Sequence, residues 1–395
     1  MVKDAAADGL RGVASLAVFF AHFFLPFYPV AFEPCFSGVS ASGAPSSYVD
    51  SLLSLPIIST VWNGSFAVSV FFVLSGYVLC KRYVDTGRES VVRSMASRRY
   101  LRLGLPIAAS VMFAWAVGVS IPSVIDQVSA VTGSEWLKSN SLRDLVFGDA
   151  VQDAVYGVLL GGSSRFNTVY WTMRIELLGS FLVFGYALLS GSGRQAVLVA
   201  ATFFIIIVGV NPPEWPHFLA FLIGAWIAQL GLKVSGLAGW SLIIAGLYLG
   251  GVSSNEIYDP LRHIGLNGAQ AKWICSTVGA AMLFVAVRGG IGRSLLEARP
   301  AQFLGRISYS LYLIHVPVVI GVGCTAFWWA VSEASLTRSA AVGVALVVSL
   351  PLSLALSVAF ERWVDRRAIL WGKRLTSGVA TADRSEPERD SARRS

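Results

Sequence analysis

Residues 9–31 read GLRGVASLAVFFAHFFLPFYPVA, an apolar run long enough to cross a membrane as a helix. About 20 apolar residues are sufficient to span the hydrocarbon core of a bilayer. The run is too long for the apolar region of a secretory signal peptide, and the charged residues Asp8 and Arg11 lie at its start. We therefore expect it to be retained as the first membrane-spanning helix.

Similar apolar runs recur along almost the whole chain of 395 residues, which is 55% hydrophobic and only 14% charged. Soluble globular domains average about 25% charged residues, so this composition excludes a soluble enzyme. The predicted fold is an all-α polytopic membrane bundle. Hydropathy over windows of about 19 residues predicts ten membrane-spanning helices, near residues 9–31, 63–80, 103–122, 170–190, 196–211, 216–233, 237–253, 270–288, 308–331 and 338–361.

The distribution of Lys and Arg predicts the orientation of the bundle. With the amino terminus in the cytosol, 23 of the 31 Lys and Arg residues lie on the cytosolic side and 6 on the outer side, and the remaining 2 lie within helices. This asymmetry favours both termini in the cytosol. It also explains the net charge of +8 by juxtamembrane anchoring in a lipid bilayer, with no need for a nucleic-acid partner.

The chain is predicted to form one membrane domain, residues 1–371, followed by a tail. Residues 372–395 are polar and charged, and this composition predicts a disordered, basic cytosolic tail. The four Cys and the four His residues lie far apart in the sequence, so neither a disulfide framework nor a metal site is predicted.

Ionisable residues within apolar runs are costly to bury and are therefore candidate functional residues. Asp8, Arg11 and His22 are spaced so that they share one face of the first helix. At about 1.5 Å rise per residue, His22 and Glu176 are predicted at matching depths, about 10 Å below the outer boundary. They are candidates for a general base and the carboxylate that orients it. The alternative is that His22 bonds a nearby carbonyl and Glu176 pairs with Arg174 or another helix.

Arg99 and Arg102 lie one helical turn apart in the cytosolic segment after the second apolar run. Two guanidinium groups at this spacing can clamp one anion, but ordinary anchoring of a cytosolic loop explains them equally well. His315 is predicted about 10 Å above the cytosolic end of its helix, nearer to that side than His22. Its hydroxyl and aromatic neighbours fit either core packing or the wall of a ligand site.

Taken in order, five motifs resemble those of the acyltransferase 3 family of integral-membrane acyltransferases. They are Asp8-Gly9-Leu10-Arg11-Gly12 followed by His22, Phe71-Phe72-Val73-Leu74-Ser75-Gly76-Tyr77, Arg99-x-x-Arg102 with Pro106, Trp171-Thr172-Met173-x-x-Glu176, and Gly305-Arg306-x-Ser308-Tyr309-Ser310-Leu311-Tyr312-Leu313-x-His315. The resemblance extends over about residues 8–366. Two departures are Trp363, where the family often has proline, and Tyr77, where it often has phenylalanine.

The resemblance implies transfer of an acyl group, commonly acetyl, from cytosolic acyl-CoA to a hydroxyl group of a carbohydrate or another small molecule. It implies that His22 and Glu176 are catalytic. Acyl-CoA is then bound by Arg11, Arg99 and Arg102, and the acceptor enters from the outer side into a pocket with Asp8, Ser75, Tyr77, Trp171 and His315. Transfer is either direct or through an acyl-histidine.

A different class of protein, a proton-coupled transporter or flippase, is the alternative interpretation. In that case the buried ionisable groups form a proton relay. The chain has no internal repeat of the kind many transporters carry, and the order of the five motifs favours the acyltransferase.

Overall fold

Helices form all of the regular structure in the part of the chain that is described. The computed structural model describes residues 4–33, 46–121, 123–140, 146–190, 214–266 and 268–382, together with a few isolated positions between these ranges. Within these ranges no strand is present. The all-α class predicted from the sequence is confirmed.

The main helices are, in chain order, α1 (Ala5–Phe24), α2 (Gly64–Thr86), α3 (Glu89–Ser120), α4 (Trp171–Leu189), α5 (Trp215–Gln229), α6 (Gly236–Gly250), α7 (Gly268–Arg288), α8 (Arg299–Val318), α9 (Cys324–Ser332), α10 (Arg338–Phe360) and α11 (Arg366–Ala382). The π-turns Val319–Gly323 and Glu361–Asp365 join α8 to α9 and α10 to α11 without a break. Short helices lie between the long ones, at Pro29–Phe32, Tyr48–Leu53, Pro56–Trp62, Ile125–Thr132, Glu135–Ser139, Phe147–Gln152, Asp259–His263 and Arg293–Leu296.

Seven helices of the described ranges are long and apolar enough to cross a membrane. They are α1, α2, α3, Thr168–Leu189 (which contains α4), α7, Arg299–Ser332 and Arg338–Arg374. The protein is therefore a multi-pass membrane protein. Of the other predicted spans, α5 and α6 have 15 residues each, fewer than the roughly 20 that a full crossing requires, and residues 196–211 lie largely outside the described part.

Two helices begin much earlier than the sequence predicts. α3 begins at Glu89 rather than near residue 103, and α8 begins at Arg299 rather than near residue 308. The additional turns carry charged side chains, among them Arg99 and Arg306, that border a cavity inside the bundle. Hydropathy treats such residues as loop, because it does not distinguish a charge that faces an internal cavity from one that lies outside the membrane.

Glycines allow the central helices to approach closely. A Cβ atom at Gly76 of α2 would lie 2.8 Å from the carbonyl carbon of Phe221, and one at Gly224 of α5 would lie 2.8 Å from the amide nitrogen of Tyr77. Each glycine therefore packs against the backbone of the other helix. Such close contact provides van der Waals packing, which drives helix association where lipid removes the hydrophobic contribution.

The last helix extends into the segment for which the sequence predicts disorder. α11 begins at Arg366 and ends at Ala382, and residues 383–395 lie outside the described ranges. The division of the chain at residue 371 stays a prediction.

Candidate functional site

A glycine contact between α1 and α8 sets the register of two histidines. A Cβ atom at Gly12 would lie 2.7 Å from the carbonyl oxygen of Ala301, and one at Gly305 would lie 2.8 Å from the carbonyl carbon of Asp8. His22 follows Gly12 by ten residues, and His315 follows Gly305 by ten residues. Because the two helices run in the same direction, both histidines lie about 15 Å beyond the glycine contact.

The two imidazole rings are in direct contact. The Nε2 atom of His315 lies 3.1 Å from the Nδ1 atom of His22, and the ring centroids are 5.1 Å apart. Each Nδ1 atom also faces a carbonyl oxygen one turn earlier in its own helix, at 3.0 Å for Val18 and 2.9 Å for Leu311. His315 is completely buried, whereas His22 is half-buried.

The position of His315 corrects the depth predicted from the sequence. Because α8 begins at Arg299, His315 lies sixteen residues into the helix, about 24 Å from its start. His22 lies seventeen residues into α1. The two histidines are therefore at the same level, and the prediction that His315 lies nearer to the cytosolic side is wrong.

The predicted pairing of His22 with Glu176 is also wrong. The Oε1 atom of Glu176 accepts hydrogen bonds from Arg99 Nη2 at 2.5 Å and from Ser75 Oγ at 3.0 Å. The side chain of Glu176 is 15% exposed and that of Arg99 is 14% exposed. Glu176 thus belongs to a buried ion pair with Arg99. It lies one helical turn further along α4 than Thr172. The side-chain partner of His22 is His315.

Arg99 and its neighbours border a cavity of about 530 Å³, which we call the basic cavity. Its polar and charged lining comprises Arg11, Ser75, Arg82, Arg98, Arg99, Arg102, Thr172, Glu176, Arg306, Ser308, Tyr309, Tyr312, Glu361, Asp365 and Lys373. Cationic side chains outnumber carboxylates in this lining. The cavity is therefore suited to an anionic ligand.

The three arginines assigned to acyl-CoA by the family resemblance all border the basic cavity. Arg99 also donates to Ser180 Oγ at 2.7 Å. Arg102 is paired with Asp365, and its guanidinium lies 5.6 Å from the ring centroid of Tyr309. The Nη1 atom of Arg11 lies 3.9 Å from the Oδ1 atom of Asp8. All three arginines thus line one cavity, and their binding of acyl-CoA stays a prediction.

The inner part of the basic cavity approaches the histidines. Thr172 Oγ1 and the Tyr312 hydroxyl are 2.9 Å apart, and both residues line the cavity. The Tyr312 ring centroid lies 6.1 Å from that of His315. Tyr312 therefore borders the basic cavity and also lies next to His315.

The remaining predicted pocket residues have separate environments. Among Asp8, Ser75, Tyr77, Trp171 and His315, only Ser75 borders the basic cavity in the described structure. The Tyr77 hydroxyl donates to Asp4 at 3.0 Å. Trp171 packs against His217, with ring centroids 5.2 Å apart. Neither side chain meets the imidazole pair, so a single pocket formed by all five residues is not observed.

Sequence reasoning missed several side chains of the basic cavity. Arg82, Arg98, Arg306 and Lys373 line it, but in the sequence they were counted only among the cytosolic Lys and Arg, and Lys373 was placed in the predicted tail. Arg82 and Arg98 lie within two helical turns of motif residues on α2 and α3, and Arg306 is part of the fifth motif, whereas no motif residue lies near Lys373 in α11. Among the described residues, no group of three or more His, Cys, Asp or Glu side chains could hold a metal ion.

Comparisons with known proteins agree with these observations. A family model of the acyltransferase 3 type, described as an acyltransferase domain, matches residues 4–358. The chain is 27% identical to Acyltransferase clz18 from Cochliobolus lunatus, over 91% of this chain and 92% of that protein. It is 26% identical to Acyltransferase R4 from a Phoma species, over 91% of this chain and 93% of that protein.

A third relative carries a more specific name. The chain is 24% identical to O-acetyltransferase PaAT-1 from Phomopsis amygdali, over 80% of this chain and 72% of that protein. No solved structure gives a significant match to the chain. Since the family model covers nearly the whole membrane bundle, the chain belongs to the acyltransferase 3 family and is an acyl-transferring membrane enzyme.

Proposed function

We propose that the protein transfers an acyl group, most simply acetyl, from cytosolic acyl-CoA to a hydroxyl group of a carbohydrate or another small molecule. The observation that carries this proposal is the basic cavity, whose lining is rich in Arg and Lys and whose inner part approaches the imidazole pair. CoA is an anion with several phosphate groups on a long flexible arm. Guanidinium groups bind phosphates through planar, charge-assisted hydrogen bonds.

The orientation of the donor follows from this arrangement. Arg11, Arg99 and Arg102 hold the phosphates of CoA near the cytosolic face, and the pantetheine arm extends past Tyr312 toward His22. This model requires both termini in the cytosol, which the distribution of Lys and Arg favours. It also retains the predicted number of about ten membrane crossings.

His22 acts as the general base in this proposal. The hydroxyl oxygen of the acceptor attacks the thioester carbon while its proton moves to His22, and the C–S bond then breaks. The CoA thiolate takes the proton, so the products are an ester and free CoA. General base catalysis contributes about 10²–10⁴-fold to such a reaction.

Glu176 takes a different role from the one expected from the sequence. It is held by Arg99 and Ser75, and it fixes the Arg99 guanidinium in the wall of the basic cavity. The acceptor approaches His22 from the side opposite the basic cavity. The ring centroid of Trp136 lies 6.2 Å from that of His22, so Trp136 is a candidate contact for the acceptor.

The experiment is to incubate membranes that contain the protein with acetyl-labelled CoA thioester and a panel of hydroxyl-bearing acceptors. We expect labelled ester and free CoA with the wild type, and about a 10²–10⁴-fold lower rate with His22→Ala. His263→Ala is the matched control, because His263 is an exposed histidine on a separate short helix. Near-normal transfer by His22→Ala would refute the proposal, and the absence of wild-type transfer across the panel would favour the transporter.

A further inference from the structure

The hydrogen bonds of the imidazole pair determine which ring nitrogen of each histidine carries the proton. A carbonyl oxygen only accepts hydrogen bonds, so a ring nitrogen that faces one at bonding distance must be the donor. His315 Nδ1 lies 2.9 Å from the Leu311 carbonyl oxygen. In the neutral ring this nitrogen holds the single proton, and His315 Nε2 is left with a lone pair.

The lone pair of His315 then fixes His22. His315 Nε2 lies 3.1 Å from His22 Nδ1, and the Val18 carbonyl oxygen lies 3.0 Å from the same nitrogen. Two acceptors thus face His22 Nδ1, so this nitrogen must carry the proton and share it between them. With the proton on Nε2 instead, the lone pair of Nδ1 would face two other lone pairs.

We propose that His315 is a positioning residue that holds His22 in the tautomer with an unprotonated Nε2 atom, and that this Nε2 atom removes the proton from the acceptor hydroxyl. The inference rests on the proposed function and adds to it the identity of the basic atom. His315 takes the place of the carboxylate that orients the base in a catalytic triad. The sequence assigned that place to Glu176, which is occupied with Arg99.

The pair also stabilises the charge that forms during the reaction. When the hydroxyl proton binds His22 Nε2, the ring becomes a cation and its Nδ1–H bond to His315 becomes charge-assisted and therefore stronger. His315 keeps its own proton on Nδ1, bound to Leu311, and remains neutral. The proton on His22 Nε2 then passes to the departing thiolate, and the resting tautomer is restored.

The burial of the pair makes the arrangement rigid. His315 is completely buried, and its ring lies 6.3 Å from that of Phe19 and 6.1 Å from that of Tyr312, measured between centroids. Both of its nitrogen atoms have partners. A ring that uses one nitrogen on its own helix and the other on α1 cannot rotate without breaking both hydrogen bonds.

The first test is independent of the acceptor. The chain has four histidines, so ¹⁵N-histidine labelling of the purified protein gives few signals, and His22→Ala and His315→Gln assign the two of interest. We expect His22 to be protonated at Nδ1 and coupled through the hydrogen bond to His315 Nε2. A resting His22 that is protonated at Nε2, or at both nitrogens, would overturn the inference.

The second test compares three substitutions of His315, with acetyl-CoA as donor and the acceptor panel described above. Gln places an amide oxygen near the position of Nε2 and can still accept from His22, whereas Asn is too short and Leu has no acceptor. We expect Gln to retain most of kcat, and Asn and Leu to lower kcat about 10²-fold, with KM for acetyl-CoA unchanged. A purely structural role would lower the amount of folded protein instead, without this order in kcat.

The outcomes separate the two proposals. If His22→Ala is inactive but folded His315→Leu has near-normal kcat, the positioning role is wrong and the proposed function stands. If His22→Ala itself transfers acetyl groups at the normal rate, the proposed function fails. His217→Leu is the control for removal of a buried imidazole, because His217 packs among Phe72, Trp171 and Trp273, away from the pair.

Discussion

Two neighbouring regions of the bundle contain different kinds of polar contact. In the first, Arg99 and Glu176 form an ion pair. In the second, one turn beyond Tyr312, the imidazoles of His22 and His315 contact each other and backbone carbonyls. The first region borders a cavity with an excess of cationic side chains. In the second region, the hydrogen-bond partners of the two histidines among the described residues are backbone carbonyls and the other imidazole, with no carboxylate. This difference is consistent with the proposed division of labour, in which the charged region binds the donor and the neutral region transfers the proton.

In the charged region, loss of one partner of the ion pair should strongly lower the stability of the protein. Arg99→Ala leaves the Glu176 carboxylate buried without its counter-charge, and breaking a buried ion pair costs about 3–5 kcal/mol. We expect a large fall in the melting temperature of the purified protein. Arg99→Ala/Glu176→Gln removes both charges and should recover most of this loss. Equal melting temperatures for the single and the double variant would show that the ion pair is not a buried, coupled unit.

The sequence predicted part of the candidate site and missed the rest. The family resemblance grouped Arg11, Arg99 and Arg102, and hydropathy located the long apolar helices. The partner of His22 was missed because depth was counted from helix starts that hydropathy placed too late. The first turns of α8 contain Arg299, Gln302 and Arg306, so their hydropathy is that of a loop although they belong to the helix.

The spacing of glycine and histidine in α1 and α8 indicates the relative depth of the two histidines better than hydropathy does. Gly12 and Gly305 each precede a histidine by ten residues, and two parallel helices in contact at these glycines bring the histidines to one level. The pairing of Glu176 with Arg99 has no comparable signal. It depends on the relative rotation of α3 and α4, which is set by packing over the whole bundle.

A smaller but specific effect is expected from the glycine contact. A methyl group at Gly305 would overlap the backbone of α1, and overpacking of this kind costs about 1–3 kcal/mol. Gly305→Ala should separate α1 from α8 and misplace His22 relative to His315, with a fall in kcat of up to about 10²-fold. KM for acetyl-CoA should change much less.

Gly343→Ala is the matched control for this substitution. Gly343 lies in α10, and a Cβ atom there would face open space, with no atom from beyond the neighbouring helix backbone within 4 Å. We expect this variant to have wild-type kcat. If Gly305→Ala is also indistinguishable from the wild type, the glycine contact does not set the register of the histidines.

The smallest effect is expected where the ion pair is partly exposed. The Arg102 side chain is 30% exposed and that of Asp365 is 9% exposed, so solvent screens their interaction, and exposed pairs contribute up to about 1 kcal/mol. A double-mutant cycle with Arg102→Ala and Asp365→Ala, measured by melting temperature, should show only weak coupling between the two side chains. Arg102→Ala should nevertheless raise KM for acetyl-CoA, and an unchanged KM would remove Arg102 from the donor site.

Equilibrium binding of labelled acetyl-CoA to purified protein tests the division of labour most directly. His22→Ala should bind acetyl-CoA with wild-type affinity, because His22 acts on the acceptor. Arg99→Ala/Glu176→Gln should be folded but bind acetyl-CoA much more weakly, because a guanidinium in the wall of the basic cavity is lost. Weak binding by His22→Ala together with wild-type binding by the double variant would contradict the account.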